Sequence, residues 1–191
     1  MKNQFLEELR KIIGSPYILG GGQMEFYKGL PNKDKNGNWL GFDCCGGIMA
    51  CLRIATRIEL AMRNVPGMMK APWTFPIEKH QLIEADLIFV DIPAKDENGD
   101  VMRDVAGYPI YGVWNHVMTY MGEKQKGNII TTEGIGGDIR FNPNSKTTTR
   151  YYDLDDFERV SARIFDDTTR YDYKRIDWDW LENWKRTHNI T

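Results

Sequence analysis

The residues best suited to do chemistry lie in Gly41-Phe42-Asp43-Cys44-Cys45-Gly46-Gly47-Ile48. That run opens a segment in which Ile48, Cys51, Leu52, Ala55, Ile58 and Met62 recur at three and four residues, with Arg53, Arg57 and Arg63 largely off the stripe. The spacing predicts a helix over about residues 44–64. A thiol in its first turn would sit beside N–H groups that have no intrahelical partner. Those amides and the positive end of the dipole favour thiolate, drawing the pKa below the free value of ~8.5. The same amides can receive the oxyanion of a tetrahedral intermediate. Two glycines at the start of an otherwise good helix cost roughly 1 kcal/mol each against alanine. Such a local violation is the mark of a site, since glycine lets a substrate or another backbone approach closely. Cys44 is the candidate nucleophile. Cys51, inside the apolar stripe, reads as a core thiol, and Asp43 as an N-cap that could also hold substrate.

A thiolate acting on an amide needs a base that takes its proton and returns it to the leaving amine. The chain offers His80, His116 and His188. His188 lies four residues from the C-terminus, where chains fray, and His80 sits in the polar stretch Glu78-Lys79-His80-Gln81. His116 opens the strand-like run His-Val-Met-Thr-Tyr-Met, and a sheet holds a general base firmly. Its far nitrogen needs an acceptor to fix tautomer and orientation. The next strand, Asn128-Ile129-Ile130-Thr131-Thr132-Glu133, puts Thr131 and Glu133 on one face. A hydroxyl would orient the ring weakly and a carboxylate would stabilise the imidazolium more, and the residues alone leave both open.

The elements that must position these groups follow from pattern. Phe5, Leu6, Leu9, Ile12 and Ile13 mark a short amphipathic helix stopped by Gly14, Ser15 and Pro16. A Gly-rich loop runs from Gly20 to Gly41. Asn64-Val65-Pro66-Gly67 is expected to end the second helix. Residues 83–90, 116–121, 128–133, 147–152 and 159–165 read as short strands. Helices early and strands late predict an α+β domain with an antiparallel sheet. Residues 91–114 form a long acidic excursion of the kind that is more often functional or mobile than structural. Near the end, Trp178, Trp180, Leu181 and Trp184 predict a helix docking its aromatic side on the core; a sugar-stacking surface is the sharper alternative.

Composition narrows the function classes. With 191 residues the chain suits one domain, and 25 Lys+Arg against 27 Asp+Glu argue against a nucleic-acid partner. No apolar run approaches the ~20 residues that span a bilayer, and the first residues alternate charge with apolar positions, unlike a secretory signal. Synthesis in the cytoplasm is the expectation. Three cysteines, two of them adjacent, make a poor disulfide framework, because neighbouring Cα atoms lie only ~3.8 Å apart. No zinc-type spacing of Cys or His occurs, and Gly20-Gly21-Gly22 and Gly134-Ile135-Gly136-Gly137 lack the context of a phosphate loop. No metal or other cofactor is expected.

Taken together, the motifs resemble the NlpC-type cell-wall peptidases, a branch of the papain-like cysteine peptidases. Four segments match in order over about residues 5–165: Pro16-Tyr17-Ile18-Leu19-Gly20-Gly21, Gly41-Phe42-Asp43-Cys44-Cys45-Gly46, Ala85-Asp86-Leu87-Ile88-Phe89, and His116-Val117-Met118-Thr119-Tyr120-Met121-Gly122. They are similar to the family's Pro-Tyr-x-x-Gly-Gly, Phe-Asp-Cys-Ser-Gly, Gly-Asp-Leu-x-Phe and His-Val-Gly-Ile-Tyr-x-Gly. The resemblance implies a catalytic domain over residues 1–165 with Cys44 at a helix N-terminus and His116 on the facing sheet, followed by a Trp-rich helical extension over 166–191 packed on it. It implies hydrolysis of amide bonds in peptidoglycan stem peptides through a thiol acyl-enzyme. Carried over by position, Tyr17 lines the site, Asp43 helps hold the substrate's amino end, Cys45 stands at a recognition position usually filled by Ser, and Thr131 takes the third catalytic place, usually His, Asn or Gln. The chain also looks like phage or prophage wall peptidases, whose partners include tail proteins and which act at the cell wall as part of a particle. Two other readings remain. One is a CHAP-like amidase or an acyltransferase with the same Cys/His pair, for which Glu133 would be the orienter. The other is an inactive wall-binding or tail module.

Overall fold

A computed structural model describes residues 1–15, 17–19, 41–61, 64–112, 115–122, 127, 129–133 and 148–190, with the backbone alone at 132, 133 and 148. These residues form an α+β fold of five helices and a six-stranded antiparallel sheet. Helix α1 (Lys2–Lys11) buries Phe5, Leu6 and Leu9 against α2 (Cys44–Thr56), whose Ile48, Cys51, Leu52 and Ala55 are also buried. The two helices meet closely at Gly47. A Cβ there would stand 3.0 Å from Ile12 Cδ1 and 3.5 Å from Phe42 Cβ, so that glycine answers to helix packing rather than to substrate.

The sheet runs β1 (Thr74–Ile77), β6 (Arg170–Ile176), β2 (Leu87–Asp91), β3 (His116–Tyr120), β4 (Ile129–Glu133), β5 (Thr148–Tyr152). Side chains alternate between its faces. Leu87, Phe89, Val117 and Ile130 enter the core shared with α1 and α2, while Ile88, Val90, Met118 and Ile129 pack with Leu154 and Phe157 of α4 (Leu154–Ile164). Helices therefore cover both faces. Strands β3 and β4 pair through Thr119↔Ile130 and Tyr120↔Ile129, and it is beyond these pairs, towards His116, that the start of α2 reaches the sheet.

Several boundaries differ from expectation for local reasons. The helix from 44 stops at Thr56, where the Thr56 hydroxyl bonds to Leu52 O (2.7 Å) and Arg57 takes a left-handed conformation (φ 59°). Asn64, expected at its end, instead caps a new helix, α3 (Val65–Met69), by accepting from Gly67 N at 3.0 Å. Residues 83–86 turn before β2, with the Asp86 carboxylate accepting from Ile83 N (2.8 Å) and from the Arg175 guanidinium through Nε and Nη2 (3.0 Å each). Residues 159–165 are not a strand. They form the end of α4 and its C-cap, Phe165; Asp153 caps the other end by accepting from Asp156 N (3.0 Å), with Asp155 and Asp156 in the first turn. Leu154, Phe157 and Ser161 give it the helical period, and the β-branched Val160 and Ile164 imitated a strand.

The segment expected as a helical extension is only partly helical. Residues 170–176 are β6, a strand between β1 and β2, and α5 (Trp178–Thr187) follows it. Helix α5 docks through Leu181, which is fully buried, and through Trp178, 5.7 Å from the Phe5 ring. Trp184 is stacked between Trp180 (5.1 Å) and His188 (4.0 Å), so both of its faces are occupied by protein rings rather than offered to a sugar.

The excursion between β2 and β3, described to residue 112, folds back on itself: Ala94 N donates to Ile110 O, Met102 N to Ala94 O and Ile110 N to Met102 O (2.9, 2.9 and 2.8 Å). Its turns are held by the carboxylates of Asp96 and Asp104, which accept backbone N–H groups. The Tyr111 hydroxyl donates to Thr168 O and Lys95 lies 4.7 Å over the Phe165 ring, which ties this arm to the end of α4.

Candidate active site

Each expected site residue has a structural address. Asp43 is the N-cap of α2: its Oδ1 accepts from Gly46 N at 2.5 Å and its carbonyl from Gly47 N at 3.1 Å. That cap begins the helix at Cys44, so the amides of Cys44 and Cys45 precede the first intrahelical bond and face outward from the first turn. Tyr17 pairs through its backbone with Phe42, and Ile18 N donates to Phe42 O (3.2 Å), which places the Tyr17 strand beside the residue before the cap.

His116 is the first residue of β3, in register with Val90 of β2. Its Nε2 makes a 2.8 Å hydrogen bond with Thr131 Oγ1, from a threonine only 1% exposed. Thr131 does not use Nδ1, and the ring lies close enough to Cys44 for its hydrogen bonding and charge to lower that thiol. In the tautomer that carries its proton on Nε2, the imidazole donates to Thr131 and accepts from the thiol. Of the two groups that could orient the ring, Thr131 is in contact with it, and the Glu133 side chain lies outside the described residues.

Charge at the two neighbouring thiols is divided sharply. The Cys44 thiol is held well below its ordinary range. The largest cause is the hydrogen bond from Cys45 S–H, followed, against the opposing effect of burial, by the hydrogen bond and charge of His116 and by the Val117 N–H. The Cys45 thiol moves the opposite way, pushed up because Cys44 accepts its proton, because it is buried, and because Asp43 and Cys44 are negative neighbours. Its one proton has two acceptors, Cys44 and the Asp43 Oδ1 at 3.5 Å. Cys44 is thus the sulfur that ionises and Cys45 the sulfur that stays protonated beside it. Burial raises Cys51, which sits inside the core.

Two contributors were missed in the sequence. One is the Val117 N–H, which helps to lower the Cys44 thiol and which no side-chain pattern could reveal. The other is Phe157, whose ring lies 6.2 Å from the imidazole of His116 at an interplanar angle of 16°. Reading 159–165 as a strand hid it, although Asp153 with Leu154, Phe157 and Ser161 carried a helix signal. The glycine clusters at 20–22 and 134–137 lie outside the described residues, as does the loop from 22 to 40. Among the described residues no group of three or more His, Cys, Asp or Glu is placed to hold a metal ion, and no helix is long and apolar enough to cross a membrane.

The arrangement can take a proton from a thiol, keep it on an imidazole and return it to a leaving group, with helix-start amides beside the reacting sulfur. No family model, no curated protein and no solved structure matches the chain.

Proposed function

We propose that this chain is a cysteine peptidase of NlpC type that hydrolyses amide bonds in peptidoglycan stem peptides. The observation that carries the chemistry is the contact of His116 with Cys44 at the start of α2, with the far ring nitrogen on Thr131. The substrate class rests on the four ordered motifs.

In this reading the Cys44 thiolate attacks the carbonyl carbon of the scissile amide, and the oxygen becomes an oxyanion received by the first-turn amides. The imidazolium of His116 gives its proton to the departing amine as the C–N bond breaks, leaving a thioester on Cys44. Water then attacks the thioester, His116 accepts the water's proton, and the carboxylic acid leaves as the Cys44–His116 ion pair is restored. Tyr17 lines the approach beside Phe42. Asp43 keeps the amides aligned through its cap and stands near the incoming peptide's amino end, and Cys45 fills the neighbouring recognition position.

Incubating the purified chain with cell-wall sacculi tests the reading. New amino groups should appear, mass analysis of the fragments should place the cut within the stem peptide, and Cys44→Ala should abolish release. Cleavage at the sugar–peptide link would move the assignment to an amidase, and release that survives Cys44→Ala would refute the thiol mechanism.

A further inference from the structure

Helix α4 and strand β6 border a groove of about 490 Å³, with a further wall from the short turn Lys79–Gln81 before β2. Tyr171 and Tyr173 stand two residues apart on β6 and so share the face that lines it. Glu158 and Arg159 come from α4, and Lys79 from the turn. Among the described residues that line the groove, none belongs to the thiol–imidazole site.

These groups hold one another in place. The Glu158 carboxylate accepts from Lys79 Nζ (2.5 Å) through one oxygen and from the Tyr173 hydroxyl (3.4 Å) through the other, which joins the turn, α4 and β6. Arg159 is held by Asp156 at 2.7 Å. Burial is the largest cause that pushes both tyrosine hydroxyls up, and the Glu158 carboxylate adds to it. Both phenols therefore stay protonated and neutral.

That chemistry selects a ligand. A pocket for an apolar molecule is walled mostly by apolar side chains, whereas Ala162 is the one aliphatic side chain among the described residues here. An anion would need a cation to spare, yet Lys79 and Arg159 are already paired. A cation would meet those same two charges, and Asp155 and Asp167, both exposed, would hold it weakly. A sugar hydroxyl both donates and accepts, so one molecule can use the carboxylates, the ammonium and the phenols together. The C–H face of a sugar ring also packs on aromatic side chains. We propose that this groove binds a neutral, hydroxyl-rich saccharide, with Glu158 and Tyr173 as its central hydrogen-bonding pair. The inference does not depend on Cys44. Alongside peptidase activity, the groove would give the chain a hold on the glycan strands that carry stem peptides.

Titrating the isotope-labelled full-length protein with the soluble tetrasaccharide of N-acetylglucosamine tests it by NMR. Amide shifts should cluster on residues 155–162 and 169–173 and saturate with a Kd of about 1 mM or tighter. Glu158→Gln keeps the shape and removes the charge, and Tyr173→Phe keeps the ring and removes the hydroxyl. Each should weaken binding about fivefold while the spectrum stays that of the folded protein. Shifts gathered instead on α5 or around Tyr17 and Asp43 would overturn the proposal, as would no saturation at about 10 mM saccharide. A diamine, cadaverine, that moves the groove amides at lower concentration than the sugar would overturn the choice of a neutral ligand. Binding is read without turnover. A protein that binds the sugar but leaves sacculi uncut would keep this inference and refute the peptidase reading alone, and one that cuts sacculi without binding would do the reverse.

Discussion

Two adjacent cysteines with opposite fates are the central fact among the individual residues. Cys44 is pushed towards thiolate and Cys45 away from it, so alkylation of the native protein near pH 6 should label Cys44 while Cys45 and Cys51 stay intact, as peptide mass mapping would show. The sign follows from the shift: a depressed thiol is ionised above its lowered pKa, so its reactivity persists as pH falls through the range where a free thiol goes silent. Thr131 contributes one hydrogen bond to the ring. Thr131→Val keeps the shape and deletes that bond, worth about 1 kcal/mol, so the rate of amide hydrolysis should fall about fivefold with little change in thermal midpoint. His116→Ala removes the base itself and should cost about a hundredfold or more in the same assay. Residue types and spacing singled out Cys44 and His116 but left Thr131 and Glu133 both open as the partner of the ring. The division of charge between Cys44 and Cys45 was not, because it depends on a shared proton and on a backbone N–H from a strand distant in sequence.

The secondary-structure elements show where tertiary packing overrode local pattern. The apolar stripe after Cys44 continued to Met62, yet the helix ends at Thr56 because a back-bonded hydroxyl and a left-handed Arg57 terminate it. Helix α4 was mistaken for a strand because Val160 and Ile164 favour strands, although Ile164 is 45% exposed and takes no part in the core. Strand β6 carries alternating Tyr and charged residues that read as surface, and is covered on both sides by β1 and β2 only through long-range pairing. The Asp86–Arg175 pair ties β2 to β6, and Asp86→Ala should lower stability by about 2 kcal/mol in denaturant unfolding, since it deletes charged hydrogen bonds from a carboxylate that is 1% exposed. Gly127 adopts φ +80°, and a Cβ there would stand 2.6 Å from Tyr152 O. Gly127→Ala should therefore cost at least about 1–2 kcal/mol by the same measurement, more than a surface substitution would.

For the molecule as a whole, the candidate site lies at the sheet end where β2 stops and β3 begins. His116 lies there, and so does the root of the 92–112 arm, pinned by Asn115 Nδ2 donating to Ile92 O (3.1 Å). The far part of that arm exposes Val105 fully and most of Tyr108. Neither belongs to the buried core, so Val105→Ser with Tyr108→Ser should leave the thermal midpoint within about 0.5 kcal/mol equivalent of the wild type. At the opposite extreme, Leu181→Ala should cost about 2–5 kcal/mol, because that leucine is the fully buried anchor of α5. The α+β class and the antiparallel sheet were apparent in the order of periodicities. The place of the C-terminal segment inside the sheet was hidden, since strand order is fixed by pairing between residues some ninety positions apart.

The most direct test is the pH profile of Cys44 alkylation, compared between the wild type and His116→Ala. With sulfur and imidazole in contact, the wild type should label well below the free-thiol range near pH 8.5, and removal of the ring should move the profile up towards that range. Coincident profiles, both rising only near the free-thiol value, would contradict the pairing on which the proposed chemistry depends.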